Sequence, residues 1–565
     1  MSFRQKLLVI LILSLGLFLR VWRLNLSPVE LFGDEIDIGI QAKSIVESGR
    51  DYLGHRLPIR FQSFDELRLP FAIYATAPFV AAKGLSEWTV RLPAAIAGWL
   101  SLVGFFLMVK ELFGVRVGLI SLLLLAISPW HIQFSRWAND AIPMLALVLF
   151  GTWSFLVGLS RKKYLILPAA FFAASLYAYS IAAIFVPMLA GLLVVIYWEK
   201  LKLNRKYLTI ALVVGLVMSA PFVVAMRSGL SEKRFSKISV VNDPMLTHIL
   251  TTRRSQSTFP LTRVFRNKLT VFVGEIAGNY LRSFSNEYLF VSGDPNLRHS
   301  VGGMGEMYGF EVLTIISGCM FLAKSFFVRQ RDRPVHRGLI LVCAWLLMAP
   351  MAAALTKDGG NHAGRLIAMV PALVLLSAIG LDFLWSMIGR VSLRWLRIVL
   401  VLFATFGLAN YLYTYHVEWP KESWRYWQYG YKEAVQFIKD HDEEASRIYM
   451  NNSYEPALPR FLFWYGYDMR LFQKQFSGID NKENVVAGFN GFHLGDKYYF
   501  GKVGKLIEDK GFDEVLRPGE LYLVNVRDEV GAADWITYPP KRVKILKTIS
   551  SPLGEPIFFI ITKKT

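Results

Sequence analysis

The 565 residues are 54% hydrophobic and 14% aromatic but only 19% charged, too little charge for a soluble chain of this length. The net charge of +20 comes without a G-x-x-x-x-G-K-[ST] loop or a base-reading motif, so nucleotide and nucleic-acid binding are set aside. Cys319 and Cys343, the only cysteines, both sit in apolar runs, which excludes a disulfide framework. The composition is that of a polytopic α-helical membrane protein.

In chain order, Arg4 and Lys6 precede the apolar run "KLLVILILSLGLFLRVW" in the manner of a secretory signal. Arg20, Trp22 and Arg23 stand where a small-residue cleavage site would follow, which predicts a retained first span. About eleven spans are expected, near 6–23, 91–110, 117–134, 141–160, 164–179, 181–198, 207–225, 308–328, 337–355, 364–387 and 394–414. Several reach the roughly 18–20 apolar residues that cross about 30 Å of hydrocarbon. "LPFAIYATAPFVAAKGL" at 69–85 is apolar but short and contains Pro70 and Pro78; it reads as a helix lying in the outer interface.

With the N-terminus inside, the cytoplasmic loops are "KELFGVR", "RKK", "EKLKLNRK", "VRQRDRPVHR" and "GRVSLRWLR", each net positive, as the positive-inside rule requires. Asp34, Glu35, Asp65, Glu66, Asp140, "TKDGGNHAGR" at 356–365, the loop 226–307 and everything after 415 are then extracytoplasmic. Polar groups at membrane depth are costly and point to a functional cavity.

Two outer loops each present carboxylates at a helix start: Asp34 with Glu35 in "LFGDEIDIGI", and Asp140 in "SPWHIQFSRWANDAIP". Arg136 and Asp140 share a helix face four residues apart, and also fit a local ion pair capping the next span. The stretch 226–270 carries Arg227, Lys233, Arg234, Lys237, Arg253, Arg254, Arg263, Arg266 and Lys268 against Glu232 and Asp243. Long loops cross the membrane regardless of charge; such a loop suits either an anionic ligand or anionic headgroups. "DPNLRHS" adds Arg298 and His299, and "GGNHAGRL" adds His362 and Arg365, pairing arginine with histidine twice. Asp34 and Asp140 are the carboxylates that would share a divalent ion; no zinc spacing is present. "VGGMGEMYG" at 301–309 misses G-x-G-x-x-G and is discounted.

After 415 the pattern changes. "WPKESWRYWQYGYKEAVQFIKDH" is aromatic and then amphipathic. "RIYMNN", "ELYLVNV", "VKILKTI" and "PIFFIITKK" read as short strands among helices and turns, which predicts an extracytoplasmic α/β domain at 416–565 after a membrane domain at 1–415. It would serve acceptor recognition or act as a stabilising appendage.

"GDE", "FQSFDELRLPFAIY", "GLSEWTVRLPAAIAGWL", "SPWHIQFSRWANDA" and "NHAGRLIAMVPALVLLSAIGL", in that order, resemble the GT-C superfamily of membrane glycosyltransferases. The resemblance is to the protein O-mannosyltransferase and aminoarabinose-transferase branch, family 39-like, and covers about residues 1–415. It implies a bundle of about eleven to thirteen helices that moves a sugar from a polyprenyl-phosphate donor to an acceptor hydroxyl outside the cytoplasm, with inversion. It further implies Asp34 as catalytic carboxylate, Glu35 completing the pair, Asp140 as second loop acid, and Arg68 where relatives often carry Lys-Pro-Pro. The phosphate contacts expected are Arg68, Arg136, Arg298, His299, His362 and Arg365, with membrane lipid and an acceptor protein, lipid or glycan as partners. The alternatives are a lipid or glycan flippase without transfer chemistry and a glycan-binding sensor.

Overall fold

The computed structural model describes residues 1–63, 67–226, 239–255, 267–327, 334–388, 395–476, 490–502 and 515–564; of residues 253, 334, 476, 490–492 and 502 only the backbone is considered. Asp65, Glu66, Arg227, Glu232, Lys233, Arg234, Lys237, Arg263 and Arg266 therefore lie outside the described residues, as does the side chain of Arg253. The chain is mainly helical.

Among the described residues six helices are long and apolar enough to cross a membrane: Glu87–Ile127, Ala141–Gly158, Ala182–Met226, Val335–Ala354, Ile367–Ile388 and Trp395–Glu422. Several of them are interrupted. Gly114 has φ +83° and ψ 176°, outside helical space, a value open to glycine because it lacks Cβ. Ala182–Met226 is divided by the 3₁₀ turn Lys202–Asn204. The helix Pro70–Lys83 has 14 residues, about 21 Å at 1.5 Å per residue, too short to span.

The chain divides into two compact units: Met1–Trp22, Glu66–Ala72 and Pro93–Thr414 form unit 1, and Arg23–Asp65, Ile73–Leu92 and Tyr415–Thr565 form unit 2. The described residues of unit 1 are mainly helical. Its helices Phe310–Phe327 and Val370–Ile388 pack closely. A Cβ on Gly380 would lie 1.8 Å from the Thr314 carbonyl oxygen, and one on Gly318 would lie 2.4 Å from that of Leu376. Such backbone approach needs small residues, and the Thr314 and Ser377 hydroxyls hydrogen-bond across the same contact at 2.7 Å.

Two buried arginines close helix ends in unit 1. Arg20, near the end of α1 (Phe3–Val21), donates to the Ala126 and Leu125 carbonyls at 3.1 and 3.3 Å. Arg136 donates to the carbonyls of Leu19 and Trp22, each at 2.8 Å. The last carbonyls of a helix have no partner within it, and a guanidinium supplies several donors at once.

Unit 2 contains α2 (Gly33–Ser48) and a six-stranded sheet. Its strands are β1 (Arg447–Asn451), β2 (Asn490–Leu494), β3 (Tyr498–Lys502), β4 (Glu520–Asn525), β5 (Val543–Ser550) and β6 (Pro556–Lys563), in the order β2-β3-β1-β4-β6-β5. β1 runs parallel to both β3 and β4, and the outer pairs are antiparallel. β4 is buried along its length, as expected for a strand covered on both faces. The helix Tyr431–Asp440 buries Tyr431, Ala434, Val435 and Ile438, an i, i+3, i+4, i+7 stripe. The four strands expected from sequence are present; β2 and β3 were missed because "GFHLGDKYYFGK" is punctuated by glycines and charges.

Candidate functional site

In unit 2, Asp34 and Glu35 occupy the first turn of α2, where the exposed backbone N–H groups favour negative charge. Asp34 is half-buried. Glu35 is fully buried and ion-paired: Arg91 Nε donates to its Oε1 at 2.9 Å and Arg91 Nη2 to its Oε2 at 3.1 Å. Its Oε2 also accepts the Phe32 N–H at 3.1 Å, closing the start of the helix. Arg91 further donates to the carbonyls of Leu24 at 3.1 Å, Pro28 at 2.9 Å and Glu30 at 2.6 Å. All five guanidinium donors are thus engaged. The adjacent acids are not equivalent: Glu35 is buried and paired with Arg91, and Asp34 is half-buried beside it on the first turn.

In unit 1, Asp140 is the N-cap residue of Ala141–Gly158, yet its side chain makes no capping bond. Asn139 does this work instead, its Oδ1 accepting from Ala141 N at 3.0 Å and Ile142 N at 3.2 Å. Arg68 lies half-buried in the extended pair Leu67–Arg68.

The other expected phosphate contacts come from two loops of unit 1, and two of them meet. The rings of His299 and His362 lie 4.6 Å apart, with Phe134 stacked on His299 at 5.6 Å. A residue not anticipated, Asp294, joins them: its Oδ2 accepts from His299 Nδ1 at 2.8 Å and from the Ala363 N–H at 2.8 Å. Suitable ligand atoms of Asp294, His299 and His362 all fall within 4.8 Å of one another. Arg365 donates to Thr356 Oγ1 at 2.8 Å and to the Lys357 carbonyl at 2.6 Å. Arg298 Nε donates to Asn296 Oδ1 at 3.3 Å, and its carbonyl accepts from Gln133 Nε2 at 2.9 Å.

The electrostatics of this cluster are uneven. Burial alone would raise the Asp294 carboxyl, but the hydrogen bond from His299 and the positive potential around it hold it below its ordinary value. Burial, then the charges of His299 and Arg365, push His362 well below the ordinary imidazole value, which favours its neutral form. Glu306 is pushed well above the carboxylate range by burial and by Asp294, and its Oε1 accepts the Asp294 N–H at 3.0 Å. Gln133, His299, Ser300 and Glu306 border a small hollow. Two imidazoles, one held neutral, and an ionised carboxylate form a donor set that suits a divalent transition ion. The Asp294 to His299 Nδ1 bond also fixes that ring's tautomer.

Asp294 lies in "DPNLRHS", where the arginine and histidine carry the stronger local signal, and Glu306 lies in the glycine run 301–309, which lacks nucleotide-loop spacing. No spacing rule joins either to His362, which is 68 residues beyond Asp294 in sequence.

Residues 68–224 match the family described as dolichyl-phosphate-mannose-protein mannosyltransferase. No curated protein sequence matches the chain. Among solved structures, ArnT from Cupriavidus metallidurans bound to undecaprenyl phosphate is similar at TM-score 0.51 and 13% identity, over 98% of this chain and 97% of that one. The Archaeoglobus fulgidus oligosaccharyltransferase tethered to an acceptor peptide containing the NVT sequon is similar at TM-score 0.51 and 11% identity, over 99% of this chain and 74% of that one. The chain shares its fold with both of these solved structures.

Proposed function

We propose that the chain is an inverting membrane glycosyltransferase that moves a sugar from a polyprenyl-phosphate donor to an acceptor hydroxyl outside the cytoplasm. The observation that carries this reading is the placement of Asp34 on the first turn of α2, braced by the buried Glu35–Arg91 pair. The fold shared with ArnT, whose solved structure holds undecaprenyl phosphate, supports the choice of donor.

Asp34 takes the proton of the acceptor hydroxyl as its oxygen attacks the anomeric carbon. The sugar–phosphate bond breaks and its electron pair leaves with the lipid phosphate, a stable anion that requires no general acid. A positioned base contributes on the order of 10²–10⁴ in rate. Within unit 1, Arg68, Arg298, His299, His362 and Arg365 are the groups suited to contact the lipid phosphate, and Asp140 is the second loop acid. Glu35 and Arg136 hold the framework. Asp294, His299 and His362 are the residues that would hold a divalent cation, which would supply further positive charge to the phosphate. Asp34 and the C-terminal segment face the extracytoplasmic side, as the charge of the loops requires.

The test incubates purified protein with mannosyl-phosphoryl-polyprenol and, in parallel, compares surface glycoconjugates by mass spectrometry in cells with and without the chain. A sugar lost from the surface on deletion, and not restored by Asp34→Asn, is the expected result. Wild-type levels with a folded Asp34→Asn variant would remove Asp34 from the chemistry. Movement of the lipid between vesicle leaflets with no sugar transferred in either assay would mark a flippase instead.

A further inference from the structure

The segment Tyr415–Thr565 grips α2 along its whole length, all within unit 2. At the start of the helix, Gln428 Oε1 accepts the Gly33 N–H at 3.0 Å, satisfying one of the donors that an N-terminal turn leaves open. The Glu30 carboxylate, three residues before, accepts the Gly430 N–H at 2.7 Å and the Lys432 N–H at 2.8 Å. Midway, a Cβ on Gly39 would lie 2.4 Å from the Phe463 ring, so the helix packs directly on that aromatic. At the far end, Lys43 Nζ donates to the carbonyls of Gly466 and Tyr467 at 2.8 and 2.7 Å, and Gln473 Nε2 reaches Ser44 Oγ and Ser48 Oγ, both at 2.9 Å.

The contact at Gln428 is the one aimed at the turn that carries Asp34. Gln428 is buried and has φ +55°, the left-handed region that is disfavoured for a residue with Cβ. Its neighbours hold it there. Trp427 is fully buried and packs edge-on to Trp419 at 5.7 Å, and Arg91 stands 5.8 Å from the centre of the Trp427 ring. Arg460 Nη2 donates to the same Gln428 oxygen that takes the Gly33 N–H. A disfavoured backbone, an aromatic brace and a shared acceptor converge on one amide of α2.

We infer that the C-terminal segment is a positioning scaffold for the catalytic turn, with Gln428 fixing the register of Asp34, rather than a separate recognition module. The inference rests on the reading of Asp34 as the base. Gln428 touches no substrate in this account; it acts through Gly33. A local error of about 1 Å in a reacting group can cost two orders of magnitude in rate, so loss of the Gly33 bond should reach the chemistry although the fold survives.

The experiment replaces the chain in its own cells, at matched protein level, with Gln428→Met, Gln428→Glu or Asp34→Asn. It follows the time course of sugar appearing on surface glycoconjugates by mass spectrometry, and hydrogen exchange across residues 33–40 in the purified proteins. Gln428→Met keeps the side-chain length and removes the acceptor; Gln428→Glu keeps an acceptor oxygen beside Arg460. The expected result is a drop of tenfold or more for Gln428→Met with faster exchange over residues 33–40, and recovery to within about threefold for Gln428→Glu. Wild-type transfer by Gln428→Met, when Asp34→Asn is inactive, would overturn the inference while leaving the role of Asp34 intact. Equal losses in both Gln428 variants would also overturn it, since the acceptor oxygen would then be irrelevant. Should Asp34→Asn transfer normally, the underlying reading fails, and unchanged exchange over 33–40 in Gln428→Met would sink the scaffold independently.

Discussion

Arg91 shows how far a single residue organises unit 2. Its partner carboxylate is fully buried, and removing one member of such a pair leaves an uncompensated charge that costs about 3–5 kcal/mol. Arg91→Met is therefore expected to lower the unfolding midpoint sharply, read by differential scanning fluorimetry in detergent, and Arg91→Lys to recover little because one ammonium cannot reach five acceptors. Glu30 makes a prediction with a definite sign. Burial pushes it up from 4.5 to about 7, and the N–H groups of Gly430 and Lys432 only partly offset this. The folded chain then holds the Glu30 proton more tightly than the unfolded chain does. That contribution to stability is fully present below about pH 4.5 and is lost as pH rises through about 7, on the order of 3 kcal/mol in total. The midpoint should fall between about pH 5 and pH 8, and Glu30→Gln should flatten that dependence; an unchanged slope would show that another group titrates.

At the level of elements, the helices are specified by small and polar residues as much as by apolar ones. Gly380 meets the Thr314 carbonyl at a distance where no methyl group fits, so Gly380→Ala should cost about 1–3 kcal/mol through overpacking, visible as a lower midpoint in detergent. Asn139→Ala should cost about 1 kcal/mol by uncapping Ala141–Gly158. Helix and strand were legible from local signals wherever periodicity ran unbroken: the short helix at 70–83 from its length and prolines, the helix at 431–440 from its stripe, and four strands from β-branched and aromatic runs. β2 and β3 carry too few such residues for a local rule to find them. The cap at Asn139 was overlooked for a different reason, because Asp140 beside it is an equally good cap by residue type and only the backbone decides between them.

Across the whole molecule, the metal-competent cluster supplies the remaining prediction. Purified protein should retain a divalent ion detectable by mass spectrometry of the metal, and His299→Ala or His362→Ala should lose it; equal metal content in wild type and both variants would exclude the site. The sequence offered Asp34 and Asp140 as carboxylates for such an ion; among the described residues a group of three ligands is formed by Asp294, His299 and His362. Taken alone, the sequence determined the membrane class, the apolar segments, the C-terminal α/β pattern and the acids and bases eligible for the chemistry. These follow from hydropathy, spacing and residue type, which are local properties of a chain. Only the tertiary structure decided that Asp294 completes the two histidines, that Glu35 is paired with Arg91, and that residues near 430 hold the turn bearing Asp34. Those facts depend on which distant groups the fold brings within hydrogen-bonding reach, and burial then makes each such partnership costly to lose.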